Sequence, residues 1–153
     1  MKRILMVCLG NICRSPLAEG LLKSKLDSTK FYVDSAGTGN WHVGEQPHKL
    51  SMAVAENHDL DISYQQCRQF SASDFDKFDI IYAMDANNFS DLNDMARNDA
   101  DKTKIKLLLN ELFPGENVDV PDPYTGGMMQ FEQVYNILDK ATTTLADKLN
   151  NEQ

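Results

Sequence analysis

Cys8-Leu9-Gly10-Asn11-Ile12-Cys13-Arg14-Ser15 follows the apolar run Ile4-Leu5-Met6-Val7 and precedes Pro16-Leu17-Ala18-Glu19. A buried strand thereby hands a thiol to a short loop that opens a helix. Unpaired N–H groups and the positive end of the helix dipole favour negative charge at such a place, so Cys8 is expected to ionise easily. The same geometry attracts an external oxyanion, and the planar fork of Arg14 matches two phosphate oxygens at once. Taken alone, a cysteine at a strand end is a small buried hydrophobe. Gly10, Arg14 and the Ser15-Pro16 helix start turn the reading toward a nucleophile inside an anion cradle.

Further residues could serve such a site. Asn11 tolerates left-handed backbone angles and its amide can brace a tight loop. Asp122 stands between Pro121 and Pro123, and Pro123 biases it to extended geometry; it is either a turn-initiating Asp-Pro or a proton donor on a stiff loop. Trp41 and Tyr124 fall in loops, where each could seal the core or wall a slot for a flat aromatic group. Cys13 shares the loop of Cys8, within the range a curled loop could bridge. Cys67 stands apart beside Arg68 and is read as structural or incidental. His42, His48 and His58 show no ligand spacing and no Cys-x-x-Cys pair occurs, so no metal and no cofactor is expected.

The elements that must position these groups alternate. Strands are expected at Arg3–Val7, Phe31–Ser35, Ile80–Met84 and Lys104–Leu108, and helices at Leu17–Leu26, His48–Asn57, Ala86–Leu92 and Gln130–Leu149. This predicts an α/β fold of three layers, a central four-stranded parallel sheet with helices on both faces and ligands at the C-terminal strand ends. Ser15 with Pro16 is expected to cap the first helix. Phe131, Val134, Ile137, Leu138, Ala141 and Leu145 form an apolar stripe on the last helix. The charged segment from Arg97 to Lys104 is expected to be an exposed connection.

The 153 residues suit one domain spanning 1–153. Fifteen Lys and Arg against 23 Asp and Glu give a net charge of −8, which argues against nucleic acid or an anionic membrane as partner and makes any phosphate binding local. Four apolar residues before Cys8 are too few for the hydrophobic region of an export signal, and no stretch is long enough to cross a bilayer. Three cysteines without such a signal suggest reduced thiols in the cytoplasm.

Cysteine, five residues, arginine and serine is the pattern of cysteine-dependent phosphatases, and Cys8–Pro16 resembles the low-molecular-weight protein tyrosine phosphatase family. Asp34-Ser35-Ala36-Gly37-Thr38, Asn40-Trp41, Met84-Asp85 and Asp122-Pro123-Tyr124 occur in that family's order, so the resemblance covers nearly the whole chain. It implies hydrolysis of phosphotyrosine and other aryl phosphates in protein substrates, with Cys8 as nucleophile, Arg14 as phosphate ligand and Asp122 as general acid and base. It further implies that Leu9, Gly10, Asn11, Ile12, Cys13 and Ser15 surround the bound phosphate or another oxyanion, Asn11 holding the loop's shape and Ser15 directing its hydroxyl to the thiolate. Trp41 and Tyr124 would flank the cradle, and a Cys8–Cys13 bond would protect the nucleophile. A monomer is expected.

Three alternatives are weighed. Arsenate reductases of similar fold use a further cysteine pair after the third strand, where this chain has Met84 and no cysteine beyond Cys67. Relatives resembling arginine phosphatases carry threonine at the loop position of Ile12. A module that holds phosphotyrosine without cleaving it would not need Cys8, Arg14 and Asp122 together. The chain departs from some family members shortly before Arg68-Gln69, where they carry histidine and this chain has Gln65-Gln66-Cys67, and at Thr125, where they carry a second tyrosine. These departures bear on the hydrogen bonding behind the loop and on regulation through paired tyrosines.

Overall fold

The side chains of β1 (Lys2–Cys8) alternate between two apolar layers. Ile4, Met6 and Cys8 enter one layer with Phe31, Val33 and Tyr82, while Leu5 and Val7 enter the other with Ile81, Ala83, Ile105 and Leu107. A strand buried on both faces reads as a continuous apolar run, and burying each of its large side chains contributes roughly 1.5–3 kcal/mol. These features come from a computed structural model describing residues 1–152.

β1 pairs in parallel with β2 (Phe31–Gly37) and with β3 (Ile80–Ala83), which pairs in parallel with β4 (Ile105–Leu107). The order β2-β1-β3-β4 means that the chain leaves β1 toward one side and later returns to its other side. Connections on opposite faces diverge at such a switch point, opening a crevice beyond the carboxyl ends of the two strands. Here those strands are β1 and β3, and the Cys8 loop lies at that end.

One face carries α1 (Arg14–Lys23), α2 (Lys49–Asn57) and α6 (Met128–Asn151), and the other carries α3 (Asp74–Lys77) and α4 (Ala86–Met95). The three-layer expectation therefore holds. On α6 the stripe Phe131, Val134, Leu138, Ala141 and Leu145 is buried, with Ile137 half-buried beside it. Among the described residues no helix is long and apolar enough to cross a membrane.

One local expectation is corrected and another refined. Helix α1 begins at Arg14 rather than Leu17, and Ser15 lies inside its first turn without capping it. The serine hydroxyl is engaged elsewhere, and Pro16 fits the first turn because N–H groups there have no intrahelical acceptor. The segment from Arg97 to Lys104 is exposed at most positions, as expected, but it also folds α5 (Asp99–Thr103), with Asn98 Oδ1 accepting from Asp101 N at 2.9 Å. Asp101 is buried and accepts from Arg97 N and Nε at 2.9 and 2.8 Å, so the segment's charges satisfy one another.

Candidate active site

The loop between β1 and α1 is held by its carbonyls. Asn11 O accepts from Cys67 Sγ at 2.7 Å, Ile12 O from His48 N at 2.8 Å and Cys13 O from Ser51 Oγ at 3.2 Å. By contrast, none of the N–H groups of residues 10–13 donates to a protein acceptor among the described residues. Several unpaired amides in one short turn make an anion-binding concavity. Cys67, read from sequence as structural or incidental, is thus a tether of this loop.

Asn11 occupies the left-handed region at φ 56°, which asparagine tolerates better than most residues. Its side chain locks that turn. Oδ1 accepts from Arg68 N at 2.9 Å, while Nδ2 donates to Ser15 Oγ at 2.8 Å and Ser35 Oγ at 3.0 Å. Ser15 Oγ lies 3.1 Å from Cys8 Sγ. Having accepted from the amide, that hydroxyl has its own proton available for the sulfur.

Arg14 is buried, and its Nη1 donates to Asp85 Oδ2 at 2.7 Å and to the Val120 carbonyl at 2.9 Å. Nη2 lies 3.8 Å from Asp122 Oδ2. Burial opposes the guanidinium's charge, but Cys8, Asp85 and Asp122 outweigh it and hold the group above its ordinary value. Arg14 is therefore a fixed cation. Asp122 is half exposed, and its Oδ1 accepts from Tyr124 N at 3.1 Å, the turn expected of an Asp between prolines.

Cys8, Leu9, Gly10, Ile12, Cys13, Arg14, Asp122 and Tyr124 line one pocket of about 200 Å³. The sequence-derived nucleophile, cation and carboxylate thus meet in one cavity. Asn11 and Ser15 brace it from behind. Trp41 is exposed and not among the lining residues; its ring covers Gly39, where a Cβ would come within 1.9 Å of Trp41 Cζ3. That wall is instead supplied by His42, whose Nδ1 is 3.0 Å from Glu45 Oε2 and whose ring lies 6.3 Å from Tyr124.

All three thiols are free and buried, yet they differ. Burial, together with the charges of Cys8 and Asp122, pushes the Cys13 thiol up to about 12. Burial and the charges of Cys8 and Glu45 push Cys67 up to about 11. Both are therefore protonated and unreactive at neutral pH.

The family is settled by comparison with known proteins. Residues 3–153 match the family model described as low molecular weight phosphotyrosine protein phosphatase. The chain belongs to that family. It is 37% identical to the low molecular weight protein-tyrosine-phosphatase YfkJ of Bacillus subtilis, over 100% of this chain and 99% of that protein. It is 36% identical to the corresponding Streptomyces coelicolor enzyme, over 94% of this chain and 90% of that protein. Its fold superposes with a TM-score of 0.92 on a protein tyrosine phosphatase of Entamoeba histolytica that holds Hepes in its active site, at 35% identity and 99% coverage of both chains.

Sequence reasoning missed several groups within this phosphatase-family site. Asp85 both holds Arg14 and caps α4, its Oδ1 accepting from Asn88 N at 2.8 Å. Its position just past β3, beside β1 at the switch point, was the available signal. Val120 O carries no sequence signal. For His42 the signal was adjacency to Trp41, but the sequence does not tell which of two neighbouring loop residues faces the pocket.

Gly37, at the end of β2, makes this arrangement possible. A Cβ there would stand 2.7 Å from Leu9 O and 3.0 Å from both Asn11 N and Gly10 C, all backbone atoms that cannot swing aside. Gly37→Ala should lower stability by about 1–3 kcal/mol, the usual cost of overpacking. It should also cost more than about tenfold in phosphatase turnover, because small displacements of a loop lining such a pocket are expensive. Thermal unfolding and steady-state hydrolysis check both, and an active, unperturbed variant would contradict the close approach.

Proposed function

We propose that this protein hydrolyses phosphotyrosine in protein substrates, and other aryl phosphate monoesters, through a phosphocysteine intermediate. The observation that carries the reading is the meeting of Cys8, Arg14 and Asp122 in one pocket floored by unpaired amides of residues 10–13.

The Cys8 sulfur attacks phosphorus in line, forming the S–P bond as the P–O bond to the phenol breaks. Arg14 and the loop amides hold the equatorial oxygens, where charge accumulates in the transition state. Asp122 gives its proton to the departing phenolate. The resulting carboxylate then takes a proton from water as its oxygen attacks phosphorus, and the S–P bond breaks to return the thiolate and release phosphate. Tyr124 and His42 border the ring of the substrate. Trp41, outside the pocket's lining, is left to meet the polypeptide around it.

Two features favour aryl phosphate over the alternatives. Ile12 lines the pocket where arginine phosphatases are expected to carry threonine, and the sequence holds no cysteine beyond Cys67 for an arsenate reduction relay. A panel of phosphotyrosine, phosphoserine and phosphoarginine peptides tests the assignment. Phosphotyrosine should lead by at least about a hundredfold in kcat/KM, equivalent to roughly 2.7 kcal/mol of transition-state discrimination. Equal rates, or thiol-coupled arsenate turnover without aryl phosphate hydrolysis, would overturn it.

A further inference from the structure

We propose that Lys23 is a positioning residue for the nucleophile's loop, its ammonium keeping Glu19 as the ionised end of a hydrogen-bond relay that reaches the Cys8 sulfur. The proposal deepens the phosphatase reading above and rests on it.

The relay's direction follows from donor and acceptor counting. Arg68 N–H fixes the Asn11 amide, so both hydrogens of Nδ2 go to Ser15 Oγ and Ser35 Oγ. Each serine must then place its own proton elsewhere. Ser15 has the Cys8 sulfur at 3.1 Å, and Ser35 donates to Glu19 Oε1 at 2.7 Å. An ionised carboxylate can only accept, whereas a protonated one brings a hydrogen that competes for the same geometry.

Glu19 is 3% exposed, and charge so deeply buried is expensive without a partner. Burial pushes its carboxyl above the ordinary carboxylate range, Asp34 adds to that, and the bonds from Lys23 and Ser35 oppose it. Lys23, one turn later on α1, places Nζ 2.8 Å from Glu19 Oε2. Tyr64 donates to the same oxygen at 3.3 Å, and Lys23 Nζ lies 3.2 Å from the Tyr64 hydroxyl and 4.9 Å from its ring centre. Gln65 does not join this cluster: Nε2 donates to Pro16 O at 3.0 Å, and Oε1 is buried without a partner among the described residues. Lys23 is therefore the cation that faces Glu19, with Asp34 and Tyr64 as the other titratable groups beside it.

The test is the rate of Cys8 alkylation by iodoacetamide across pH 5–9, located by mass spectrometry, in the parent, Lys23→Met, Lys23→Arg and the double variant Lys23→Met/Glu19→Gln. Losing the ammonium raises Glu19's proton affinity, so protonation spreads to higher pH. In Lys23→Met the acid limb should begin about one pH unit higher and steepen from one proton to two, with roughly a tenfold loss of rate at the parent's midpoint. Lys23→Arg should restore the parent curve, and the double variant should return to one proton because the relay no longer ends on a carboxyl. A Lys23→Met curve that superimposes on the parent, or is lowered by one factor at every pH, would overturn the proposal. Alkylation is read without phosphatase turnover, so a parent that fails to hydrolyse aryl phosphates would count against the function and leave this result separately legible.

Discussion

Cys8→Ser should leave less than about one part in 10⁴ of the parent's aryl phosphate hydrolysis, the scale of loss seen when a covalent nucleophile is removed. The substitution removes one property. A serine hydroxyl stays protonated at neutral pH even beside a buried guanidinium, so the nucleophile is lost while the cradle remains. Cys8 is almost fully buried, with Ser15 Oγ at 3.1 Å, and a hydroxyl can make that contact as well as a thiol. Inorganic phosphate should therefore bind the variant within a few-fold of the parent, as measured by calorimetry. Residual turnover above about one per cent would mean that catalysis runs through another group. Loss of phosphate binding together with activity would mean that the loop had collapsed.

Asp122→Asn should cost about 10²–10⁴-fold in kcat for phenyl phosphates with basic leaving groups, the usual contribution of a general acid. Esters of acidic phenols, which depart without a proton, should be hurt far less. KM should not rise, because an amide keeps the shape of the protonated carboxyl and adds no charge beside the anion site, 3.8 Å from Arg14 Nη2. The check is a plot of log kcat against leaving-group pKa, which should be steeper for the variant than for the parent. Equal loss for every leaving group would remove Asp122 from proton transfer.

The Cys8 loop was legible in the sequence because its parts are contiguous. A strand, a thiol, an arginine and a helix start within one short stretch constrain one another by local geometry alone. The alternation of strands and helices likewise exposed the layers, since burial on both faces makes parallel strands apolar throughout. Asp122 required the family resemblance, for an Asp between prolines is also an ordinary turn. Asp85 and the Val120 carbonyl escaped because their relation to Cys8 exists only after β3 is laid beside β1, and His42 because its own exists only after β2 is laid on the other side. Helix α5 escaped because its stability comes from Arg97, Asp76 and Asp101 satisfying one another, and that pairing leaves no periodic signal. The start of α1 was misjudged for a related reason: Ser15 has the composition of a cap, but Asn11 and Cys8 engage its hydroxyl.

Unpaired amides of residues 10–13 and the Arg14 guanidinium share one pocket with the Cys8 sulfur, an arrangement that favours negative charge there. The direct measurement is the pH dependence of Cys8 modification by iodoacetamide in the parent protein, with and without inorganic phosphate. The account predicts rapid labelling of Cys8 alone at pH 6–7, nearly constant over that interval and suppressed by phosphate, with Cys13 and Cys67 untouched. A labelling rate that climbs about tenfold per pH unit through neutrality, as for a free thiol titrating near 8.5, would contradict it.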